Sequence, residues 1–117
     1  MYFVEGGMVA GKDGRIVLVT CESMHQAQKI AKVVVEKRLA ACVNILGGLI
    51  QSVYRWKGSV ENAKEMLMVI KTTKGRLAEL EREVKRLHSY EVPEFVVLPI
   101  AAGSREYLGW LEESVKA

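Results

Sequence analysis

Residues 41–72 have the sequence ACVNILGGLIQSVYRWKGSVENAKEMLMVIKT, which predicts a long β-hairpin. The stretch from Ala41 to Trp56 is rich in β-branched and aromatic residues. Only Gly47-Gly48 interrupts it, and a glycine pair inside a strand pattern indicates a bulge or a sharp bend. Residues 57–62 are predicted to be the turn, and residues 65–72 the returning strand.

The segment before the hairpin carries a strand pattern followed by a helix pattern. Residues 15–20 are a β-branched run typical of a buried strand. Ser23 then begins a capping box with Gln26, in which each side chain is expected to bond the backbone amide of the other residue. A helix is predicted from there to about Arg38. Its apolar residues share one face, and they are Ala27, Ile30, Ala31, Val34 and Val35.

The segment after the hairpin repeats helix and strand and ends in a further helix. A second helix is predicted from about Lys74 to Leu87 or His88, because apolar residues recur at helical spacing. Residues 88–94 are predicted to be a loop, since Pro93 disfavours helix in the residue before it. Residues 95–98 are a fourth predicted strand, and Ser104 is predicted to cap a last helix. The apolar face of that helix consists of Leu108, Leu111 and Val115.

This order of elements predicts an α+β domain over residues 15–117. Strand, helix, strand, strand, helix and strand in succession are typical of the ferredoxin-like βαββαβ fold, here with a long hairpin and an extra C-terminal helix. In that fold the first and second strands are parallel with the third between them, and the fourth lies antiparallel beside the first. Residues 1–14 are interpreted as an N-terminal extension, either flexible or ordered only as an extra edge strand.

Two of the predicted strands are apolar on both faces. Residues 66–70 (MLMVI) and 95–98 (FVVL) lack the alternation expected of a sheet with one wet face. A hairpin of this length would also expose long strand edges, which proteins usually pair or cover. Both features predict an oligomer packed through its sheets.

Composition and charge restrict the class of protein. The chain has 117 residues, 50% of them hydrophobic and 26% charged, which fits one globular domain. No apolar run reaches the roughly 20 residues that span a bilayer, and residues 1–14 lack the pattern of a secretion signal, so we expect a cytoplasmic protein without a membrane partner. The net charge is only +3 and the basic residues are dispersed, so nucleic acid is not an expected partner.

The expected topology places Cys21 and Cys42 at opposite ends of the sheet. A six-residue strand spans roughly 20 Å, whereas a disulfide tolerates only about 7 Å between Cα atoms. We therefore expect two free thiols. The same topology gathers residues 21–25, the hairpin turn and residues 88–94 at one end of the sheet, which we call the rim.

Six stretches in order along the chain resemble the signatures of the CutA divalent-cation tolerance family. They are VEKRLAACVNI (35–45), SVYRWKG (52–58), IKT (70–72), HSYEVPE (88–94), LPI (98–100) and YLGW (107–110). The resemblance runs from about Ile16 to Trp110. It implies a ferredoxin-like homotrimer similar in architecture to PII signalling proteins, a role in divalent-cation tolerance and the response to metal ions, copper binding as in some members, and no assigned catalytic reaction.

Two positions depart from the family pattern. Ser89 stands where the family usually has proline, so the loop after His88 is expected to be less rigid. Some members carry a cysteine just before the threonine that matches Thr20. That position is Val19 here, and Cys21 follows the threonine instead, so a copper role of the earlier cysteine does not carry over to this chain.

Four residues expected at the rim form the predicted metal site, and they are Cys21, His88, Glu91 and Glu94. Imidazole with carboxylate suits copper or zinc, and a nearby thiolate favours Cu(I) or Zn. Structural roles remain as alternatives, because His88 can stabilise the end of a helix dipole and Glu94 can accept hydrogen bonds from neighbouring backbone. His25 and Glu22 are further candidates that the first turn of a helix also tolerates.

Tyr54, Trp56 and Lys71 support an alternative function. In a PII-like signalling trimer the two aromatic side chains would line a cleft between subunits, and Lys71 would meet a small anionic ligand there. Packing of the aromatic rings between subunits and an ordinary ion pair of Lys71 are the structural alternatives.

The chain lacks the residues required for two other functions that ferredoxin-like domains perform. An acylphosphatase-like enzyme needs an anion-binding loop with an arginine after the first strand, where residues 20–23 are TCES, and no catalytic constellation is recognisable elsewhere. An RNA-binding module needs aromatic residues on its third strand, which here is MLMVI. We therefore predict a binding protein rather than an enzyme.

Overall fold

The computed structural model describes residues 6–117. The first five residues of the predicted N-terminal extension lie outside this range. The described elements are β1 (Met8–Ala10), β2 (Gly14–Cys21), α1 (Met24–Glu36), β3 (Cys42–Trp56), β4 (Ser59–Thr73), a 3₁₀ turn (Lys74–Arg76), α2 (Leu77–Leu87), β5 (Val96–Pro99), β6 (Ala102–Ser104) and α3 (Arg105–Ser114).

Strands β2 to β5 form a four-stranded sheet in the order β3–β4–β2–β5, and each neighbouring pair is antiparallel. In the middle of this sheet Leu18 lies opposite Val69 on one side and Val96 on the other. Because β4 is antiparallel to both β2 and β3, those two strands are parallel with β4 between them. This is the order and direction predicted for the four strands, in a mixed α+β domain.

The hairpin of β3 and β4 extends beyond the rest of the sheet. Residues 66–73 of β4 pair with β2, whereas residues 59–65 pair with β3 alone. The register shifts between Leu46 and Ile50, and Gly48 has a φ of +86°, so the predicted irregularity at the glycine pair is confirmed. We call residues 50–65, beyond this bulge, the hairpin arm.

The turn at the tip of the arm is shorter than predicted. Trp56 pairs with Ser59, so Lys57 and Gly58 alone connect the strands, and residues 59–62 belong to β4. Their φ angles are +48° and +84°, as in a type I′ turn, whose twist matches that of the flanking strands. The predicted turn over residues 57–62 is wrong. A two-residue turn requires left-handed backbone at Lys57, which is unusual for lysine.

The N-terminal extension pairs with a segment near the other end of the chain. β1 and β6 form a two-stranded antiparallel sheet with Val9 opposite Gly103, so β1 is not an edge strand of the main sheet. Just after β1, Gly11 packs on the backbone of Ile100. A Cβ atom at residue 11 would lie 1.7 Å from the Ile100 carbonyl oxygen, so this close approach requires glycine.

The helices begin near the residues that the sequence predicts. Ser23 Oγ accepts a hydrogen bond from the amide of Gln26 at 3.1 Å, and Ser104 caps α3 through the amide of Tyr107 at 3.1 Å. The Gln26 side chain does not complete the predicted capping box; it accepts instead from Ser89 Oγ at 3.2 Å. Within residues 6–117, none of the helices has the length and apolar character needed to cross a membrane.

Helices α1 and α2 cover one face of the main sheet and form the core with it. Alternation along the strands directs every second residue to this face. The fully buried apolar side chains of this core are Val17, Val19, Cys21, Ala27, Ile30, Val34, Met68, Ile70, Leu80 and Val84. Near the C-terminus, Leu111 of α3 and Val115, which directly follows the helix, pack against Ala41.

The other face of the main sheet carries apolar side chains that one chain leaves half-buried or exposed. Leu46, Val96 and Leu98 are 50%, 46% and 42% exposed, and by register they adjoin half-buried residues. Those neighbours are Ile16, Leu18, Leu67 and Val69. We call this surface the open face. It agrees with strands that are apolar on both sides, and the oligomer inferred from them stays a prediction.

Candidate functional site

A cavity of about 630 Å³ lies at the rim, between the hairpin arm and the loop of residues 88–95. The arm supplies one wall and the loop supplies the other. Its lining consists of Thr20, Ser52, Val53, Tyr54, Trp56, Glu65, Ser89, Tyr90, Glu91, Val92 and Glu94. This volume falls within the range of small-molecule sites.

The strand period of the arm brings its aromatic residues into one wall of the cavity. Ser52, Tyr54 and Trp56 alternate along β3 and therefore share a face, and all three line the cavity. Tyr54 is 45% exposed and Trp56 is 38% exposed, so a large part of each ring remains accessible to a ligand.

Glu65 is a buried carboxylate at the base of the arm, only 6% exposed. Its Oε2 accepts a hydrogen bond from the Tyr90 hydroxyl at 2.7 Å, which fastens the loop to the arm. Burial, and then the bond to Glu65, raise the pKa of Tyr90 well above its usual value. Neither residue is among the site residues predicted from the sequence. The available signal was the alternation of Glu65 with Leu67 and Val69, which directs all three away from the helices.

His88 is held by two hydrogen bonds just after the end of α2. Its Nδ1 accepts from the backbone amide of Tyr90 at 3.0 Å. The proton must then lie on Nε2, which donates to the carbonyl oxygen of Thr20 at 2.7 Å. Both ring nitrogens are therefore engaged in joining the loop to the end of β2. This matches a structural role, although the bonds differ from the predicted helix-dipole contact.

Cys21 lies against His88 on the core side of β2. Its Sγ is 3.7 Å from His88 Nε2 and 3.4 Å from Met68 Sδ. Burial, with contributions from the charges of Glu65 and Glu22, raises the pKa of this thiol to about 11. Cys21 therefore stays protonated near neutral pH. Cys21 and Cys42 are both free, as expected from the topology.

Glu91 and Glu94 supply carboxylates to the loop wall. Burial, and then the charge of Glu65, raise the pKa of Glu94 above its usual value. Glu91 Oε2 lies 3.8 Å from Lys57 Nζ, and the same ammonium lies 5.6 Å from the centroid of the Trp56 ring. The positive charge of Lys57 thus lies near both Trp56 of the arm wall and Glu91 of the loop wall.

Comparison with known proteins identifies the family. The profile of the family described as CutA1 divalent ion tolerance protein matches residues 15–114. The chain belongs to the CutA family. It is 54% identical over 99 residues to the divalent-cation tolerance protein CutA of Thermus thermophilus, covering 85% of this chain and 95% of that protein. The CutA protein of Archaeoglobus fulgidus is 42% identical over 100 residues, covering 86% of this chain and 96% of its own.

Solved CutA structures share the fold. The Thermus thermophilus protein aligns with a TM-score of 0.85 at 51% identity, over 88% of this chain and 99% of its own. CutA of Synechococcus elongatus aligns with a TM-score of 0.86 at 38% identity, over 93% and 96%. The Archaeoglobus fulgidus protein is described as periplasmic, and the cytoplasmic location expected for this CutA protein stays a prediction.

The four predicted metal ligands of this CutA protein separate into two pairs. Glu91 and Glu94 line the cavity, whereas Cys21 and His88 contact each other outside its lining. Within residues 6–117 of one chain, no three His, Cys, Asp or Glu side chains are grouped closely enough to hold a metal ion. The weaker candidates, Glu22 and His25, lie exposed before and within the first turn of α1.

Lys71 lies far from Tyr54 and Trp56, the other residues of the predicted anion site. Tyr54 pairs with Glu61, and Lys71 follows Glu61 by ten residues on β4, about 33 Å at 3.3 Å per residue. Its Nζ donates a hydrogen bond to Asn44 Oδ1. A single chain therefore does not bring Tyr54, Trp56 and Lys71 together, and the anionic-ligand alternative stays a prediction that needs a neighbouring subunit.

Proposed function

We propose that this protein is a non-catalytic binding protein that takes up divalent cations, copper(II) among them, as its part in divalent-cation tolerance. The cavity at the rim carries the proposal. Its lining includes the carboxylates of Glu65, Glu91 and Glu94, and the Lys57 ammonium, 3.8 Å from Glu91 Oε2, offsets part of this negative charge. A concave surface lined by one sign of charge concentrates ions of the opposite sign.

The donor atoms decide which cations suit this cavity. Cys21 is buried in the core and is not among the residues that line the cavity, and both ring nitrogens of His88 are engaged in hydrogen bonds. The remaining donors are oxygens, chiefly the carboxylates of Glu91 and Glu94. They fit a partly hydrated divalent ion held by one or two carboxylates and water, and they do not fit a thiolate site for Cu(I). His88 would join such an ion only by giving up one of its two hydrogen bonds.

We also propose that three copies assemble through the open face, as a ferredoxin-like trimer of PII type. The exposed and half-buried apolar residues of that face support this assembly. In the trimer, carboxylates from neighbouring subunits would add to the few that one chain offers a metal.

Calorimetric titration of the metal-stripped protein with Cu(II), Zn(II) and Mn(II) tests the proposed site. We expect saturable binding that Glu94→Gln and Glu91→Gln each weaken at least about tenfold. Cys21→Ser should leave it unchanged. Glu36→Gln, on the exposed surface of α1, is the matched control for the loss of one negative charge.

Two results would contradict the proposal. Binding that is absent for all three metals would remove the metal function. Binding that survives both cavity substitutions and disappears in His88→Ala would place the metal at the histidine instead, and the hydrogen bonds of His88 would then have to break on binding.

A further inference from the structure

We propose that the rim cavity also binds a small organic cation through an ammonium group, at a subsite formed by the ring of Trp56 and the carboxylate of Glu91. The inference goes beyond the proposed uptake of metal ions. It shares the cavity with that function and is tested in the absence of metal.

The chain's own Lys57 already places an ammonium at this subsite. Its Nζ lies 5.6 Å from the centroid of the Trp56 ring and 3.8 Å from Glu91 Oε2. This is the distance range of a cation–π contact, here combined with a carboxylate. The side chains of Lys57 and Glu91 are 72% and 73% exposed, so the ion pair is weak. An ammonium from outside the molecule can therefore replace it.

The cavity behind this subsite is large enough for an organic molecule. Its volume of about 630 Å³ far exceeds the ~30 Å³ share of one water molecule, so a metal ion with its hydration shell would leave part of it unfilled. The rings of Tyr54 and Tyr90 line it, and so do two more carboxylates, Glu65 and Glu94. Aromatic walls with acidic groups suit an apolar chain that bears one or two ammonium groups.

The geometry of the turn allows the competing ammonium to be removed without straining the backbone. Lys57 and Gly58 form a type I′ turn with φ angles of +48° and +84°. Asn-Gly is the preferred sequence for this turn. Lys57→Asn therefore deletes the ammonium and keeps, or improves, the turn that carries Trp56.

A fluorescence titration measures binding at the subsite directly. The chain has two tryptophans, Trp56 and Trp110, so Trp110→Phe leaves the Trp56 ring as the only indole. The probes are n-butylammonium, which copies the end of a lysine side chain, its uncharged analogue butan-1-ol, and 1,4-diaminobutane. The protein is kept as its native oligomer, with EDTA present and ionic strength fixed.

We expect n-butylammonium to change the Trp56 fluorescence saturably, and butan-1-ol to bind at least about fivefold more weakly. Lys57→Asn should tighten n-butylammonium binding about two- to fivefold, because the internal competitor is gone. Glu91→Gln should weaken it about three- to tenfold. 1,4-Diaminobutane should bind more tightly than n-butylammonium, since the cavity offers further carboxylates.

Three outcomes would overturn the inference. They are equal affinity for n-butylammonium and butan-1-ol, unchanged affinity in Lys57→Asn, and a loss in Glu36→Gln as large as that in Glu91→Gln, which would mean unspecific attraction. Calorimetry with metals decides the proposed function separately. Failure of ammonium binding with intact metal binding would remove this inference alone, and the reverse result would remove only the metal function.

Discussion

At the scale of single residues, the rim is organised by hydrogen bonds between the loop and the ends of the strands. His88 bonds the carbonyl of Thr20 and the amide of Tyr90, and Tyr90 bonds Glu65. These contacts join β2, the loop and the arm. These hydrogen bonds occupy polar groups that could otherwise bind a ligand. The groups that remain accessible in the cavity are mainly carboxylates and aromatic rings.

Cys21 should react slowly, and its reactivity should rise only at high pH. The thiolate is the nucleophile, and a pKa of about 11 instead of 9.0 keeps the thiol protonated as the pH rises from 7 to 9. In a Cys42→Ser variant, Cys21 is the only thiol. We expect native alkylation by iodoacetamide at pH 8 to be at least about 100-fold slower than in the unfolded chain. Similar native and unfolded rates would mean that the thiol is neither shielded nor shifted.

Removing the Tyr90 hydroxyl should destabilise the rim. In Tyr90→Phe the buried Glu65 carboxylate loses its donor, and we expect the free energy of unfolding to fall by about 1–3 kcal/mol. Urea unfolding measures this loss. Tyr54→Phe, at a half-exposed ring in the same cavity, is the control and should change stability by less than about 0.5 kcal/mol. Equal losses in the two variants would show that the bond to Glu65 contributes nothing specific.

The expected topology predicted that the loop lies at the rim, and the sequence showed its carboxylates. The different roles of His88, Tyr90 and the two glutamates were not predictable. Nothing in the sequence His88-Ser-Tyr-Glu shows that both nitrogens of His88 are engaged by backbone groups, since one of these belongs to a residue 68 positions away. The role of Glu65 was not predictable from the sequence for a related reason. Its hydrogen bond comes from the side chain of Tyr90, which is 25 positions away and reaches it only in the folded chain.

At the scale of elements, the small sheet of β1 and β6 depends on the close approach of Gly11 to Ile100. In Gly11→Ala the new methyl group would overlap the Ile100 carbonyl, so the two segments must move apart. We expect a loss of about 1–3 kcal/mol in the free energy of unfolding, measured by urea denaturation. Gly75→Ala, where no atom lies within 4 Å of the new Cβ, should be nearly neutral. A neutral Gly11→Ala would mean that this contact is looser than described.

The types of the helices and strands were predictable from local sequence. Some of their boundaries depend on backbone conformations that the sequence does not reveal. Hydrophobic period and the caps at Ser23 and Ser104 were enough for the helices. The two-residue turn was not predictable from the six polar-looking residues 57–62, because lysine rarely adopts the left-handed backbone seen at Lys57. The pairing of β1 with β6 joins segments more than 90 residues apart and left no local signal.

At the scale of the whole molecule, the open face should control assembly. Val69 lies in the middle of that face, beside Leu18 and Asn44. If three chains bury this face, Val69→Glu would place a charge in an apolar interface, and we expect dissociation. Sedimentation velocity should give about three times the 13.1 kDa of one chain for the wild type and a smaller species for the variant.

Val35→Glu provides the control for this experiment. Val35 is 40% exposed on α1, away from the open face, and the added charge should leave the assembly unchanged. A wild-type protein that sediments as a single chain would contradict the proposed trimer. The expectation of a partner rests on strands apolar on both faces, whereas the expected number of copies rests on the resemblance to the CutA family and not on this surface.

The bulge between Leu46 and Ile50 also has a mechanical consequence. On one side of it the hairpin belongs to a four-stranded plate backed by two helices, and on the other side the arm is a two-stranded ribbon. A two-stranded ribbon that is held at one end only can bend, and its displacement is largest at the tip. The arm wall of the cavity should therefore bend more easily than the wall formed by the loop. Any molecule that contacts both Trp56 and Glu91 should limit this bending of the arm.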